Sequence, residues 1–289
     1  MRPTPGPSWP RRFALLIAAA SLWLAGGCAD RPEAPILEKT GSRITEETAA
    51  RLDALLPADV LLIGEQHDAA EHHQIEQQIV SSLAARGLLA AVALEMAEAG
   101  VSTSQLKPGS TEEQTRRALK WDNKAWPWLA YGPAVMTAVR AGIPVLGANL
   151  PRAQMQDRMK DDKLDVQLPG PALKAQQQAI RIGHCNLLPE SQITPMTRIQ
   201  IAKDITMADT IHALVFPGKV VVLLAGNGHA DRNLGVPQHL RANLKARSIH
   251  LRAGDGSGSH RPDAFDSVWP TPAVPETDYC AGLKAQLAP

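Results

Sequence analysis

Val60-Leu61-Leu62-Ile63-Gly64-Glu65-Gln66-His67-Asp68 is an apolar run that stops at a glycine and turns abruptly polar. An uninterrupted apolar run of this length reads as a strand buried on both faces, the habit of a parallel sheet covered by helices. Its tip delivers a carboxylate, Glu65, and an imidazole, His67. In an open α/β sheet, ligands bind in the crevice beyond the strand C-termini. The chain repeats the arrangement near its other end. Val220–Ala225 is a second apolar run, and it closes on Gly226-Asn227-Gly228-His229. Two strands that each release a histidine after a glycine point to one shared polar site.

The flanking sequence supplies the rest of a sheet. Ala90–Glu95 is an apolar run ending in a carboxylate, and Ile143–Gly147 runs into Ala148-Asn149-Leu150-Pro151-Arg152. Ser248–Arg252 reads as a further strand and Phe265–Trp269 as an edge strand. Helices are expected between them: Thr45–Leu56 capped by Thr45, and Glu71–Arg86, which buries Ile75, Ile79 and Leu83 and stops at Gly87. Further helices are expected over Ser110–Leu119, Tyr131–Ala141, Met196–Phe216 and Pro237–Lys245. The polar stretch Gln154–Pro195 reads as an insertion or cap, helical in parts, and Gly254–Pro262 as a loop. The pattern predicts one α/β domain over residues 41–289. Its sheet should be mostly parallel with helices on both faces, plus a helical middle insertion.

The first residues carry an address. Arg11 and Arg12 precede an apolar run, Phe13–Leu24, of signal-peptide proportions, which ends in Leu24-Ala25-Gly26-Gly27-Cys28. Small residues leading into a cysteine resemble a bacterial lipobox. Residues 1–27 are therefore expected to be a signal peptide, Cys28 the lipidated residue and 28–40 a tether. By resemblance to Gram-negative lipoproteins, Ala29 after Cys28 implies the outer membrane. Cleavage before Cys28 would remove three of 30 basic residues and none of 29 acidic ones, leaving a net charge of −2. That balance argues against nucleic acid as a partner. The two other cysteines, Cys185 and Cys280, are expected to form a disulfide in an oxidising periplasm.

Four strand tips thus present Glu65 and His67, Glu95, Asn149 and Arg152, and Asn227 and His229. Histidine with glutamate suits either a divalent metal or acid–base chemistry. His72 and His73 open the next helix and could turn inward, and Asp209 on the long helix could face the tips. Salt bridging accounts for Asp209 equally well. Trp121, Trp126 and Trp128 cluster near Tyr131, either as ordinary packing or as a pocket wall.

In this order, Gly64-Glu65-Gln66-His67-Asp68 with His72-His73, Ala93-Leu94-Glu95-Met96 and Ala148-Asn149-Leu150-Pro151-Arg152 resemble the ChaN-type haem-binding lipoprotein family. So do Asp204-Ile205-Thr206-Met207-Ala208, Leu224-Ala225-Gly226-Asn227-Gly228-His229 and Gly235-Val236-Pro237. The resemblance spans about Leu61 to Cys280. It implies an α/β fold similar to those of erythromycin esterases and TIKI-type metalloproteases, with haem as ligand in bacterial haem and iron uptake. It also implies an outer-membrane haem transporter as partner, and it leaves a homodimer open. Haem iron can be held by histidine or tyrosine. Tyr131 is the preferred tyrosine, with Tyr279, His67, His72 and His229 as the other candidates. The competing reading is a metal-dependent or acid–base hydrolase using Glu65, His67, Glu95 and His229.

Overall fold

The computed structural model describes residues 45–254 and 263–287. Residues 1–44, which include the expected signal peptide, Cys28 and the expected tether, and residues 255–262 lie outside that range. Six strands form one sheet: β1 (Val60–Glu65), β2 (Leu89–Glu98), β3 (Val145–Asn149), β4 (Val220–Gly226), β5 (Ala246–Ala253) and β6 (Ser267–Thr271). Their order is β3-β2-β4-β1-β5-β6, and every neighbouring pair is parallel. The two runs that end in Gly-x-x-His or Gly-Glu-x-His are therefore the central pair. Glu65 lies opposite Gly226, and Leu94 lies opposite both Leu224 and Gly147. The tips of β1, β2, β3 and β4 accordingly reach one rim at nearly one level.

Helices account for the connections: α1 (Glu46–Asp53), α2 (Ala70–Ala85), α3 (Glu112–Ala118), α4 (Trp128–Arg140), α5 (Met155–Lys160), α6 (Gly170–Gly183), α7 (Glu190–Leu214), α8 (Asn227–Ala230) and α9 (Tyr279–Leu287). Local sequence sets several ends. Thr45 caps α1 through its hydroxyl, and Thr111 with Gln114 forms a capping box on α3. Gly87 ends α2 at φ +66°, a left-handed turn that a side chain would resist. Along β1 the side chains alternate between two cores. Leu61 and Ile63 pack on the face that also holds Ile79, Val135 and Trp128, while Val60 and Leu62 pack with Met207, Ile211 and Val236. A third apolar cluster, including Leu150, Leu164, Leu168 and Ile201, lies beneath the helical insertion.

The structure departs from the sequence reading in four places. The long helix starts at Glu190 rather than Met196, because one proline near its start, Pro195, removes only a single internal bond from 25 residues. The expected helix Pro237–Lys245 is a single 3-10 turn, Val236–His239, followed by irregular chain. Leu240 and Leu244 have helical spacing, but they serve as partly buried anchors of that irregular chain on the core. Asn227–His229 begins a four-residue helix where a loop was expected. Helix α9 was not anticipated. Cys185 and Cys280 are bonded to each other. Among the described residues, no helix is long and apolar enough to cross a membrane.

Candidate functional site

Glu65 closes β1 and is almost wholly buried. Its Oε1 accepts from Tyr131 Oη at 2.8 Å and lies 2.7 Å from His67 Nδ1. His73 Nε2 lies 3.0 Å from the other oxygen. Burial alone would raise this carboxyl's pKa, but the hydrogen bonds and charges of His67 and His73 bring it down to about 2. The carboxylate in turn raises the His67 pKa against the opposing effect of burial. Glu76 of α2 is also fully buried beside Glu65. Burial and the Glu65 charge push its pKa well above the usual range, so it is held as a neutral acid.

A second network stands on the neighbouring strands. His229 Nδ1 lies 2.5 Å from Asp204 Oδ1, and Nε2 lies 3.2 Å from Glu95 Oε1. Gly226 N donates to the other Glu95 oxygen at 2.8 Å. All three side chains are buried. Burial disfavours charge on His229, but the two carboxylates outweigh it and raise its pKa to about 10. Glu95 is held well below the carboxylate range, since His229 overcomes the cost of burial. Asp204 is pushed up to about 6, burial being the largest effect. His67 Nε2 lies 3.9 Å from Glu95 Oε2 and joins the two networks. That junction needs a glycine on β4, because a Cβ on Gly226 would lie 2.9 Å from His67 Nε2. Gly64 is required in the same way, since its Cβ would meet Asn227 Oδ1 at 2.8 Å.

Two openings reach these networks. One, of about 400 Å³, is lined by Glu95, Asn149, Arg152, Trp126 and Met155. The other, of about 460 Å³, is lined by His67, Asp68, His73, Leu129 and Pro133. Trp126 packs edge-on to His67 with ring centres 4.9 Å apart and stands between them. Asn149 Nδ2 donates to the Glu95 carbonyl at 2.8 Å and so fixes the β2 tip. Arg152 is exposed at the rim.

The family model described as haem-binding uptake, Tiki superfamily, ChaN matches residues 51–240. The chain belongs to this ChaN family. Among solved structures, ChaN of Campylobacter jejuni, which binds haem cofacially, is 27% identical with a TM-score of 0.64, over 78% of this chain and 91% of that one. The erythromycin esterase EreC in its open conformation is 15% identical with a TM-score of 0.46, over 78% of this chain and 79% of that one. The type III effector HopBA1 is also 15% identical, with a TM-score of 0.43, over 82% of this chain and 95% of that one. A search of curated proteins finds no match.

In this ChaN-family chain, Glu65, His67, Glu95, Asn149, Asn227 and His229 do meet at one rim, with Arg152 at its edge. Other expected residues do not serve as expected. Tyr131 is 1% exposed, its hydroxyl is committed to Glu65, and burial with the Glu65 charge raises its pKa. It cannot present a phenolate to iron in this arrangement. His72 is buried with both nitrogens engaged, accepting from Gln66 N at 2.9 Å and bonded to Thr271 Oγ1 at 2.9 Å. It is His73 that turns to Glu65. Asp209 is exposed beside His212, away from the tips. The acid that reaches His229 is Asp204, five residues earlier and so about 140° round the helix. A divalent metal on Glu65, His67, Glu95 and His229 finds no support. Among the described residues, no group of three or more such side chains is set to hold one, and both His229 nitrogens face carboxylates.

The sequence carried a signal for two residues it did not assign. Asp204 interrupts the buried stripe Ile201, Met207, Ala208 and Ile211, and Glu76 stands beside the stripe of Ile79, Val80 and Leu83. An acid on a helix's core-facing stripe is costly unless it is protonated or paired. Here burial beside Glu65 favours the protonated form of Glu76, and Asp204 is paired with His229.

Proposed function

We propose that the protein binds haem and serves a bacterial haem or iron uptake system, held in the outer membrane by a lipid on Cys28. Family membership carries the reading, supported by likeness to a haem-binding ChaN over most of both chains. The opening beside His67 suits a porphyrin edge. Its wall includes Leu129, which is 91% exposed and leaves an apolar surface without a cover. Tyr131, His72 and His229 are committed elsewhere, and His67 Nε2 is turned toward Gly226 and Glu95. Tyr279 is the tyrosine that remains accessible. It is exposed, and its hydroxyl donates to Asp68, which is itself exposed in the lining of that opening, so an incoming ligand can displace this bond where it cannot reach the buried Tyr131–Glu65 one. It is our candidate for the iron ligand. A second copy of the chain would bring a second haem to stack on the first, and an outer-membrane haem transporter would be the exchange partner.

The test is a hemin titration of the soluble chain from residue 29 onward, followed by visible absorption. Saturable growth of a Soret band is expected, with the ferric spectrum altered in Tyr279→Phe and retained in Tyr131→Phe. Absence of saturable binding would overturn the haem reading.

A hydrolase is the second reading, favoured by one observation. The aligned Asp204, His229 and Glu95 form a carboxylate–imidazole–carboxylate chain at the foot of the opening that Glu95 lines. Such a chain can fix an imidazole and store a proton at the strand tips. Turnover of a panel of activated esters and amides that disappears in His229→Asn would support it.

A further inference from the structure

The segment that follows β6 has little to hold it. From Pro272 to Lys284 every described side chain is exposed except Val274 and Leu283, which are half-buried. Helix α9 starts within it, at Tyr279, and has nine residues. An isolated helix of fewer than about 12–15 residues is marginal in water, and most helix stability in proteins comes from a buried apolar face. Of its described side chains, Tyr279 to Lys284, all are exposed except the half-buried Leu283. Among the described residues, two side-chain links attach it to the body. Cys280 is bonded to Cys185, in the turn between α6 and α7 of the helical insertion. The neighbouring Tyr279 donates to Asp68, on the rim loop that follows β1 and carries His67. The segment therefore bridges the insertion and the rim of the opening through two adjacent residues.

We propose that residues 272–284 form a strap, clamped between the helical insertion and the strand-tip rim by the Cys185–Cys280 bond and released when a dithiol reductant cleaves it. Cys280 is exposed and Cys185 half-buried, so Cys280 Sγ is the accessible target. A thiolate of the reductant attacks Cys280 Sγ and expels Cys185 as a thiolate, which takes up one proton. The reductant's second thiol, as its thiolate, then displaces Cys280 from the mixed disulfide. Two electrons and two protons have passed from the dithiol to the protein. The products are two cysteine thiols and an oxidised reductant. The single exposed Tyr279–Asp68 hydrogen bond that remains is too weak to hold a short, unpacked helix. The strap comes away, α9 melts, and the rim loop at residues 66–69 loses its outer restraint. Release also leaves Asp68, which lines the opening with Leu129, without its Tyr279 partner.

Hydrogen exchange on the intact chain, oxidised and then reduced with dithiothreitol and alkylated, tests this without any ligand, so the outcome is independent of the haem reading. Reduction should speed exchange at the α9 amides by at least about tenfold and raise it at residues 66–69, while β4 and α7 keep their protection. Cys280→Ser should reproduce the reduced pattern. Tyr279→Phe, with the disulfide intact, should loosen residues 66–69 and leave α9 folded. Equal exchange at α9 in the oxidised and reduced chains would overturn the proposal. So would a strap that opens while residues 66–69 stay as they were, or a loss of protection across β4 and α7, which would make the bond a global staple.

Discussion

His229 is held by two buried carboxylates, and each partner keeps the others from being uncompensated charges. Removing one member of a buried ionic network typically costs about 3–5 kcal/mol. His229→Ala should therefore lower the urea-unfolding free energy by about that much, and a loss under about 1 kcal/mol would mean the network is not ionised as described. The Glu65–Glu76 pair gives the opposite contrast. Glu76 is a neutral acid beside a carboxylate, so Glu76→Gln keeps both its charge and its shape and should cost less than about 1 kcal/mol. Glu65→Gln removes the charge that His67 and His73 face and should cost several times more. Equal costs would show that Glu76 is ionised. Stability should depend on pH in the same terms. Glu65, with its pKa lowered to about 2, stabilises the fold above the unfolded carboxylate value and loses that contribution as pH falls toward 2. His229, with its pKa raised to about 10, stabilises fully below the unfolded imidazole value and loses its contribution as pH rises toward 10. Asp204 and Glu76, both shifted upward, bind protons more tightly folded than unfolded and also favour the acid side. Tm should peak between about pH 4.5 and 6.5. Calorimetry across pH 3–9 checks it, and a Tm that climbs steadily from pH 5.5 to 9 would contradict the assignment.

Among the elements, β4 is the one the site leans on most. It lies between β1 and β2, all seven of its residues are buried, and its last glycine admits His67 and binds Glu95. Gly226→Ala would press a methyl group against His67 Nε2. Overpacking of this kind costs about 1–3 kcal/mol, so the variant should melt lower and His67 should move off Glu95. A shift of the His67 imidazole resonances in the NMR spectrum, absent in a control such as Gly109→Ala, would register that displacement. The four site-bearing strands β1 to β4 were legible because each contains a short, unbroken apolar run, and parallel pairing needs no further code. The site residues were legible for the same reason, since an apolar run that ends in Glu or Gly-Asn-Gly-His exposes its polar tip at the rim. Helix faces were harder to read. Asp204 and Asp209 differ by five positions, and only the packing of α7 shows which one turns inward. Leu240 and Leu244 have helical spacing, yet Pro237 and the short link to β5 leave room for a single turn. Helix α9 was hard to read because, among its described side chains, only Leu283 is even half-buried, and what ties it to the body is the Cys185–Cys280 bond.

For the whole molecule, the sheet order matters most. Sequence showed four polar tips, but not that β1 and β4, 161 residues apart at their paired residues Glu65 and Gly226, would be neighbours. Placing them together turns separate loop residues into two linked networks below two openings. The same rim leaves Tyr279 and Leu129 at the surface, where a flat aromatic ligand has access, and keeps the acid–base groups beneath. Under the proposed haem-uptake function that access would be needed at a membrane, and the proposed lipid on Cys28 would hold the chain there. One acyl chain gives only marginal, reversible membrane binding, whereas several chains on one residue, at about 0.8 kcal/mol per buried methylene, anchor firmly. The proposal places that attachment on Cys28, which follows the apolar run Phe13–Leu24. Cys28→Ser should release the full chain from membrane fractions into the soluble fraction and leave its hemin titration unchanged. Retention in the membrane despite the substitution would mean that another part of the chain, such as the uncleaved apolar run Phe13–Leu24, is the anchor.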